Sequence, residues 1–276
     1  MAKSKFVYFF GGGKAEGKAS MKELLGGKGA NLAEMCSLGL PVPPGFTITT
    51  EVCDLYYKVG KKWPAGLPDE VTANIKKLEK LTGKTFGHGP NPLLVSVRSG
   101  AAASMPGMMD TVLNLGLNDE TLASIIKLTG NERFGWDAYR RFMQMFGDVV
   151  LGLEHHDFEH ALQSVKAKYG VKLDTELTVD GLKDVVEEYK KVYAKGGKSF
   201  PADARAQLDA SVDAVFGSWN NPRAIKYRLT ISVASLARPS ISIPWSSATW
   251  ARTAAPAYAS PATPPRARTS STASTS

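Results

Sequence analysis

Two positively charged residues stand out by their surroundings. Lys28 lies in a turn of small residues, Gly26, Gly27, Lys28 and Gly29, at the start of a helix with apolar spacing through Leu32, Met35 and Leu38 that Gly39 ends. A lysine there sets an ammonium beside backbone donors that lack helical acceptors, an arrangement suited to phosphate. Arg98 follows a short buried strand, Leu93 to Val97. It leads into Ser99, Gly100, Ala101 and on through Ser104, with no bulky side chain until Met105, Pro106 and Gly107. Guanidinium is always charged and its fork matches phosphate oxygens, so an arginine beside a small-residue loop suits a polyphosphate. Asp110 is the lone acid of the next apolar segment, Met108 to Leu115, which closes at Gly116. Neither element matches a general phosphate-loop pattern. On residues alone, the first reads rather as a solvated turn lysine, and the second equally fits a hairpin with a surface arginine.

Other chemistry-bearing patterns read as weaker. Gly12, Gly17 and Lys18 imitate a nucleotide-binding glycine loop, but Ala19 stands where a hydroxyl should meet magnesium and no long helix is expected after it, so a flexible turn is the reading. His156 and His160 in EHHDFEH have one-turn spacing for a metal, yet no catalytic acid and histidine pattern accompanies them. Cys36 and Cys53 fall within helices and read as buried, reduced thiols of a cytoplasmic protein.

The positioning elements follow from periodicity and punctuation. Phe6 to Phe10 reads as a first or edge strand, too short for the core of a secretion signal, and Phe46 to Thr49 as another strand. Helices are expected from Thr50 or Glu51 to near Gly60, from Pro68 to Gly83, and from Asn118 or Asp119 to Gly130. Further ones run from Arg133 to about Val150, within Leu173 to Lys195, and from Ala204 to Phe216, with Trp219 as an anchor after the last. The class is α+β, with a helical part at about 118–217.

With 276 residues, 43% of them apolar, the chain can bury a substantial core. Its net charge of +8 raises nucleic acid or anionic lipid as partners. The distribution argues against both: four of those charges, Arg238, Arg252, Arg266 and Arg268, lie after Arg228, and no aromatic-interleaved basic patch occurs before it.

The strings SVRSGAAASMPGMMDTVLNLG and LLGGKGANLAEMCSLGLPVPPGFTITT, with DAYRRFMQMFGDVVLG and SWNNPRAIKYR in order, resemble the amino-terminal nucleotide-binding domain of the pyruvate phosphate dikinase family. The likeness runs from about Phe6 to Arg228. It implies an incomplete ATP-grasp-like fold, binding of ATP with Mg2+, and passage of a phosphoryl group to a histidine on a separate domain, so that pyruvate becomes phosphoenolpyruvate. Lys28 and Arg98 would lie on the phosphates with the Gly100 to Gly107 loop over them, and the Mg2+ ligands and phosphohistidine domain would lie beyond this chain. Arg140 or Arg141 would meet that domain. The polypeptide alone is then expected to lack the full reaction. Ala102 stands where the family usually has a basic residue. Phosphoenolpyruvate synthase shares the general domain but has a more acidic loop without SMPGMMD, and a non-catalytic binding module is the alternative from another class.

After Arg228 the composition breaks. Of the 48 residues from Leu229 to Ser276, 35 are Ala, Ser, Thr or Pro, and none is Gly, Asp, Glu, Lys, Asn or Gln, which reads as disorder. The resembling family continues with a strand-rich, glycine-rich stretch. Read one base out of frame, Trp245 to Trp250 decode as MVFGNMG, and Arg252 to Ala257 and Ser260 to Ala267 as EDSGTG and FTRNPATG, motifs of that stretch. The expectation is a frame change near Arg228.

Overall fold

A computed structural model describes residues 5–101, 105, 107–230 and 240–244. The apolar amino-terminal run forms β1 (Val7–Gly11), which turns through Gly12 and Gly13, at φ of 62° and 76°, into β2 (Lys14–Ala15). Such angles suit glycine, which has no Cβ to clash. A single 3-10 turn, Ala19–Met21, leads into α1 (Lys22–Ser37), so a helix does follow the Gly12 to Lys18 segment. The segment is nevertheless a hairpin turn rather than an anion cradle: the Phe9 amide donates to Glu16 and the Ala19 amide to Glu34.

β3 (Gly45–Ile48) is buried throughout and runs into α2 (Thr50–Lys58). α3 (Leu67–Thr82) begins with Pro68 in its first turn, where the missing N–H costs nothing, and stops at Gly83 with φ 66°. β4 (Thr85–Phe86) and β5 (Pro92–Leu93) make a small parallel pair. Next come β6 (Val95–Gly100) and β7 (Thr111–Leu115).

Helices then dominate. α4 (Asp119–Thr129) has a capping box between Asn118 and Thr121, and α5 (Glu132–Met145) widens into a π-helical turn at Phe146–Val150. α6 (His155–Lys168), α7 (Val179–Lys195) and α8 (Ala204–Ser218) complete the helical stretch. Phe142, Phe146, Phe158, Tyr189 and Tyr193 are almost fully buried within it, with edge-to-face ring contacts including Phe158 to Tyr189 at 5.0 Å. α8 returns to pack on β6 and β7.

The carboxy-terminal part departs from the expected disorder. α9 (Pro222–Thr230) crosses the point where composition changes, and Ser240–Pro244 forms β8. Far from hanging free, β8 is inserted in the middle of a six-stranded antiparallel sheet of order β2-β1-β3-β8-β6-β7. Ile241 and Ile243 are fully buried there, opposite Ile48 and Phe46 of β3. Burying each isoleucine contributes roughly 1.5–3 kcal/mol, and both strand edges are hydrogen-bonded. Two alternating isoleucines thus find buried places in a segment whose composition predicts no structure. Residues 231–239 and 245–276 lie outside the described residues, as does most of the expected disorder.

A candidate phosphate site between α1 and the sheet

Gly26 divides α1. Its φ of 67° and ψ of 166° are non-helical and strained for any residue with a Cβ, so the helix stops at Leu25 and restarts at Gly27. A restarted helix presents first-turn amides with no acceptor inside the helix. One of them, Gly27 N–H, donates to the Ala101 carbonyl at 2.8 Å. One residue on, Lys28 Nζ donates to the Ser99 carbonyl at 2.9 Å. Together these bonds fasten the restarted turn to the end of β6. Gly29 serves packing: a Cβ there would lie 2.7 Å from Thr47 Cγ2, so its absence lets α1 settle onto β3.

The sheet register supplies the second cation. In antiparallel pairs, residues directly opposite share a face. Thr47 pairs with Ser242, Ser242 with Arg98, and Arg98 with Thr111, which makes one cross-strand row over four strands. Thr47 lies under Gly29, so the row faces α1, and the Thr47 and Ser242 hydroxyls approach to 3.4 Å. Arg98 is the exposed member of β6, between buried Val97 and Ser99. Lys28 and Arg98 therefore converge on one face.

Their electrostatics are those of an unneutralised pair. Lys28 is exposed as a residue, yet surrounding protein crowds its ammonium. That desolvation first, and the Arg98 charge second, hold its pKa below the ordinary lysine value. Among the described residues, the one hydrogen bond of Lys28's head group goes to a carbonyl, and neither cation has a carboxylate partner. Two cations without a counter-charge are a place for an anion.

The other expected site residues fall around this point unequally. Ser99 and Ala101 contribute the carbonyls just described, and Gly100 pairs with Ser240 in the sheet. Met105 accepts the Met108 amide through its carbonyl at 3.2 Å, and Gly107 turns with φ 70°. Ser104 and Pro106, like Ala102, lie outside the described residues. Asp110 stands at the foot of the loop with its carboxylate taken by Arg223 and by Asn221 Nδ2, the latter at 3.2 Å.

Arg140 does not qualify as an interface residue. Only 3% exposed, it pairs with Asp137 and Asp174, each at 2.9 Å, whereas the Arg141 side chain is 59% exposed. Burial alone would raise the Asp174 pKa, but the hydrogen bond from Lys166 and the Arg140 charge outweigh it and keep the carboxylate ionised to lower pH than usual. His156 and His160 stack with ring centroids 6.4 Å apart. No group of three His, Cys, Asp or Glu able to hold a metal occurs among the described residues, at this helix or beside Lys28 and Arg98. No described helix is long and apolar enough to cross a membrane.

Two contributors escaped the sequence reading. Ser242 sets the lateral place of Arg98, and the alternation Ser240, Ile241, Ser242, Ile243 was its visible signal. Arg223 lies in the first turn of a proline-started helix, with no local mark of its long-range partner.

A family model described as the pyruvate phosphate dikinase AMP/ATP-binding domain matches residues 22–65 and 61–238. The pyruvate, phosphate dikinase of Giardia intestinalis is 57% identical over 226 residues, covering 80% of this chain and 26% of that protein. The chloroplastic pyruvate, phosphate dikinase of Mesembryanthemum crystallinum is 54% identical over 240 residues, or 87% of this chain and 25% of that protein. The pyruvate, phosphate dikinase of Rhizobium meliloti (strain 1021) is 54% identical over 226 residues, 82% and 25% respectively. The chain thus spans about a quarter of the length of these curated relatives.

Proposed function

This chain belongs to the pyruvate phosphate dikinase AMP/ATP-binding domain family, and from that premise we propose that it binds ATP with Lys28 and Arg98 on the phosphates. The fold around them is read as part of an ATP-grasp-like domain. The observation that carries the reading is the pair of unneutralised cations facing the same side, one from a restarted helix and one from the adjoining strand. Phosphoryl transfer needs positioning and charge neutralisation more than covalent chemistry by the protein. Lys28 supplies a compact charge held in place by the Ser99 carbonyl, and Arg98 a planar fork on a rigid strand. In a whole dikinase the phosphoryl group would pass to a carrier histidine on another domain, with the exposed Arg141 facing it, and on to pyruvate. The protein is read as cytoplasmic.

Mg2+ accompanies ATP in such chemistry. The described residues offer it no cluster of ligands, and Asp110 is engaged by Arg223, so no step is assigned to the metal.

Calorimetric titration of ATP into the chain and into a Lys28→Ala, Arg98→Ala double variant tests the site. Affinity should fall roughly 100-fold in the variant. Undiminished affinity would remove both phosphate roles.

The residues after Arg228 are read as translated out of frame. The break is read near Arg228, where the composition changes. Sequencing the coding DNA across these codons tests it; an unbroken frame with no family motif one base away would refute it.

A further inference from the structure

The exposed arginine of α9 stands far from Lys28 and Arg98 in sequence, yet its partners lead back to them. Arg223 pairs with the Asp110 carboxylate, and its Nε donates to the Met108 carbonyl at 3.2 Å. Asn221 Nδ2 donates to the other Asp110 oxygen at 3.2 Å, and the Asp110 amide donates to Ser218 Oγ at 3.3 Å. Ser218 is itself fixed, its hydroxyl donating to the Val215 carbonyl at 2.7 Å. Asp110 is thus held by its backbone and both carboxylate oxygens to the junction of α8 and α9. The next residue, Thr111, is the β7 partner of Arg98.

The strand pair has another feature that makes an external fix useful. Between Val95 and Val97 its register shifts, because Val95 opposes Leu115 while Val97 opposes Val112. An extra β7 residue is accommodated there, and Asn114 takes a positive φ of 62° close by. A bulged strand has a neighbouring register within one residue, and a one-residue slip turns side chains to the opposite face. Anchoring the β7 start at Asp110 keeps Thr111 opposite Arg98, so that the cross-strand neighbour on which the guanidinium stem rests stays in register.

We propose that Arg223 is a positioning residue for nucleotide binding, acting through Asp110 and Thr111 to hold Arg98 toward the phosphates. This rests on the ATP reading above and adds to it a residue that touches no phosphate. Arg223 differs from an ordinary surface ion pair in what it grips: a carboxylate and a backbone carbonyl at the foot of the same loop.

The test is a double-mutant cycle read by calorimetric titration of ATP into the chain, Arg223→Gln, Arg98→Ala and the double variant. Arg223→Gln should raise Kd about tenfold when Arg98 is present and leave it unchanged when Arg98 is already alanine. Arg223→Lys should recover part of the loss. Equal weakening in both backgrounds, or no weakening in either, would overturn the positioning role. Unaltered binding by Arg98→Ala alone would instead bring down the phosphate reading itself, a distinct result. Should Arg223→Gln fail to fold by circular dichroism, Asp110→Asn removes the same ion pair from the other side and is judged by the same cycle.

Discussion

The molecule holds its cations in two opposite ways. In the helical stretch, Arg140, Lys166 and Arg133 converge on Asp137 and Asp174: Arg140 pairs with both acids, Lys166 with Asp174 at 3.0 Å, and Arg133 donates to the Asp174 and Leu177 carbonyls. Arg140 and Lys166 are thus each neutralised by a carboxylate, while Arg133 is held by carbonyls alone. On the α1 face of the sheet, Lys28 and Arg98 share a face with a carbonyl and each other, and burial and mutual repulsion depress the lysine pKa. Matched charges in the first region tie helices together. Unmatched charges in the second cost stability, and the proposed nucleotide would bring the counter-charge, as binding sites commonly trade stability for function.

That contrast can be broken by substitution. Arg140→Met should destabilise most, by about 3 kcal/mol in urea unfolding, because Asp137 and Asp174 lose a buried partner. A loss under ~0.5 kcal/mol would mean that the network is not structural. The Lys28 and Arg98 double variant should show the reverse: ATP affinity down roughly 100-fold, with unfolding unchanged or shifted to higher urea. If it unfolded as early as Arg140→Met, the two regions would not differ in kind.

The depressed Lys28 pKa sharpens the contrast further. Since the fold disfavours its charged form, the resulting cost is fully present below the folded pKa and is relieved as pH rises toward the ordinary lysine value. ATP affinity should fall over the same alkaline window, because the ammonium is lost, and Lys28→Arg should flatten that fall in titrations across pH. An identical decline in Lys28→Arg would assign it to another group. The smallest effect is expected at Arg141, whose exposed ion pair with Asp137 is worth under ~1 kcal/mol. Arg141→Ala should scarcely move the urea midpoint; a shift as large as that of Arg140→Met would place it in the structural network.

Local signals carried much of the fold. Gly83 and Gly130 marked helix ends, Asn118 marked a cap, and Thr50, Pro68 and Ala204 lay within a residue of helix starts, since capping and left-handed turns are decided by residues a few places apart. Lys28 was legible for the same reason: its glycine neighbours announce a break at which a helix restarts. Composition misled at β8, because averaging over a long Ala, Ser, Thr and Pro stretch hides a five-residue alternation. Arg140 was misjudged because a helix surface and a helix interface look alike until Asp174 arrives from another part of the chain.

By itself the sequence determined which residues could bind phosphate, since charge, fork geometry and flanking small residues are properties of a few adjacent positions. Only the tertiary structure decided that they lie on one face. The row Thr47, Ser242, Arg98 and Thr111 exists because β8 inserts between β3 and β6, and the lysine reaches it because Gly29 lets α1 lie close. Pairings across 195 residues, as between Thr47 and Ser242, depend on the burial of whole strands rather than on local preference.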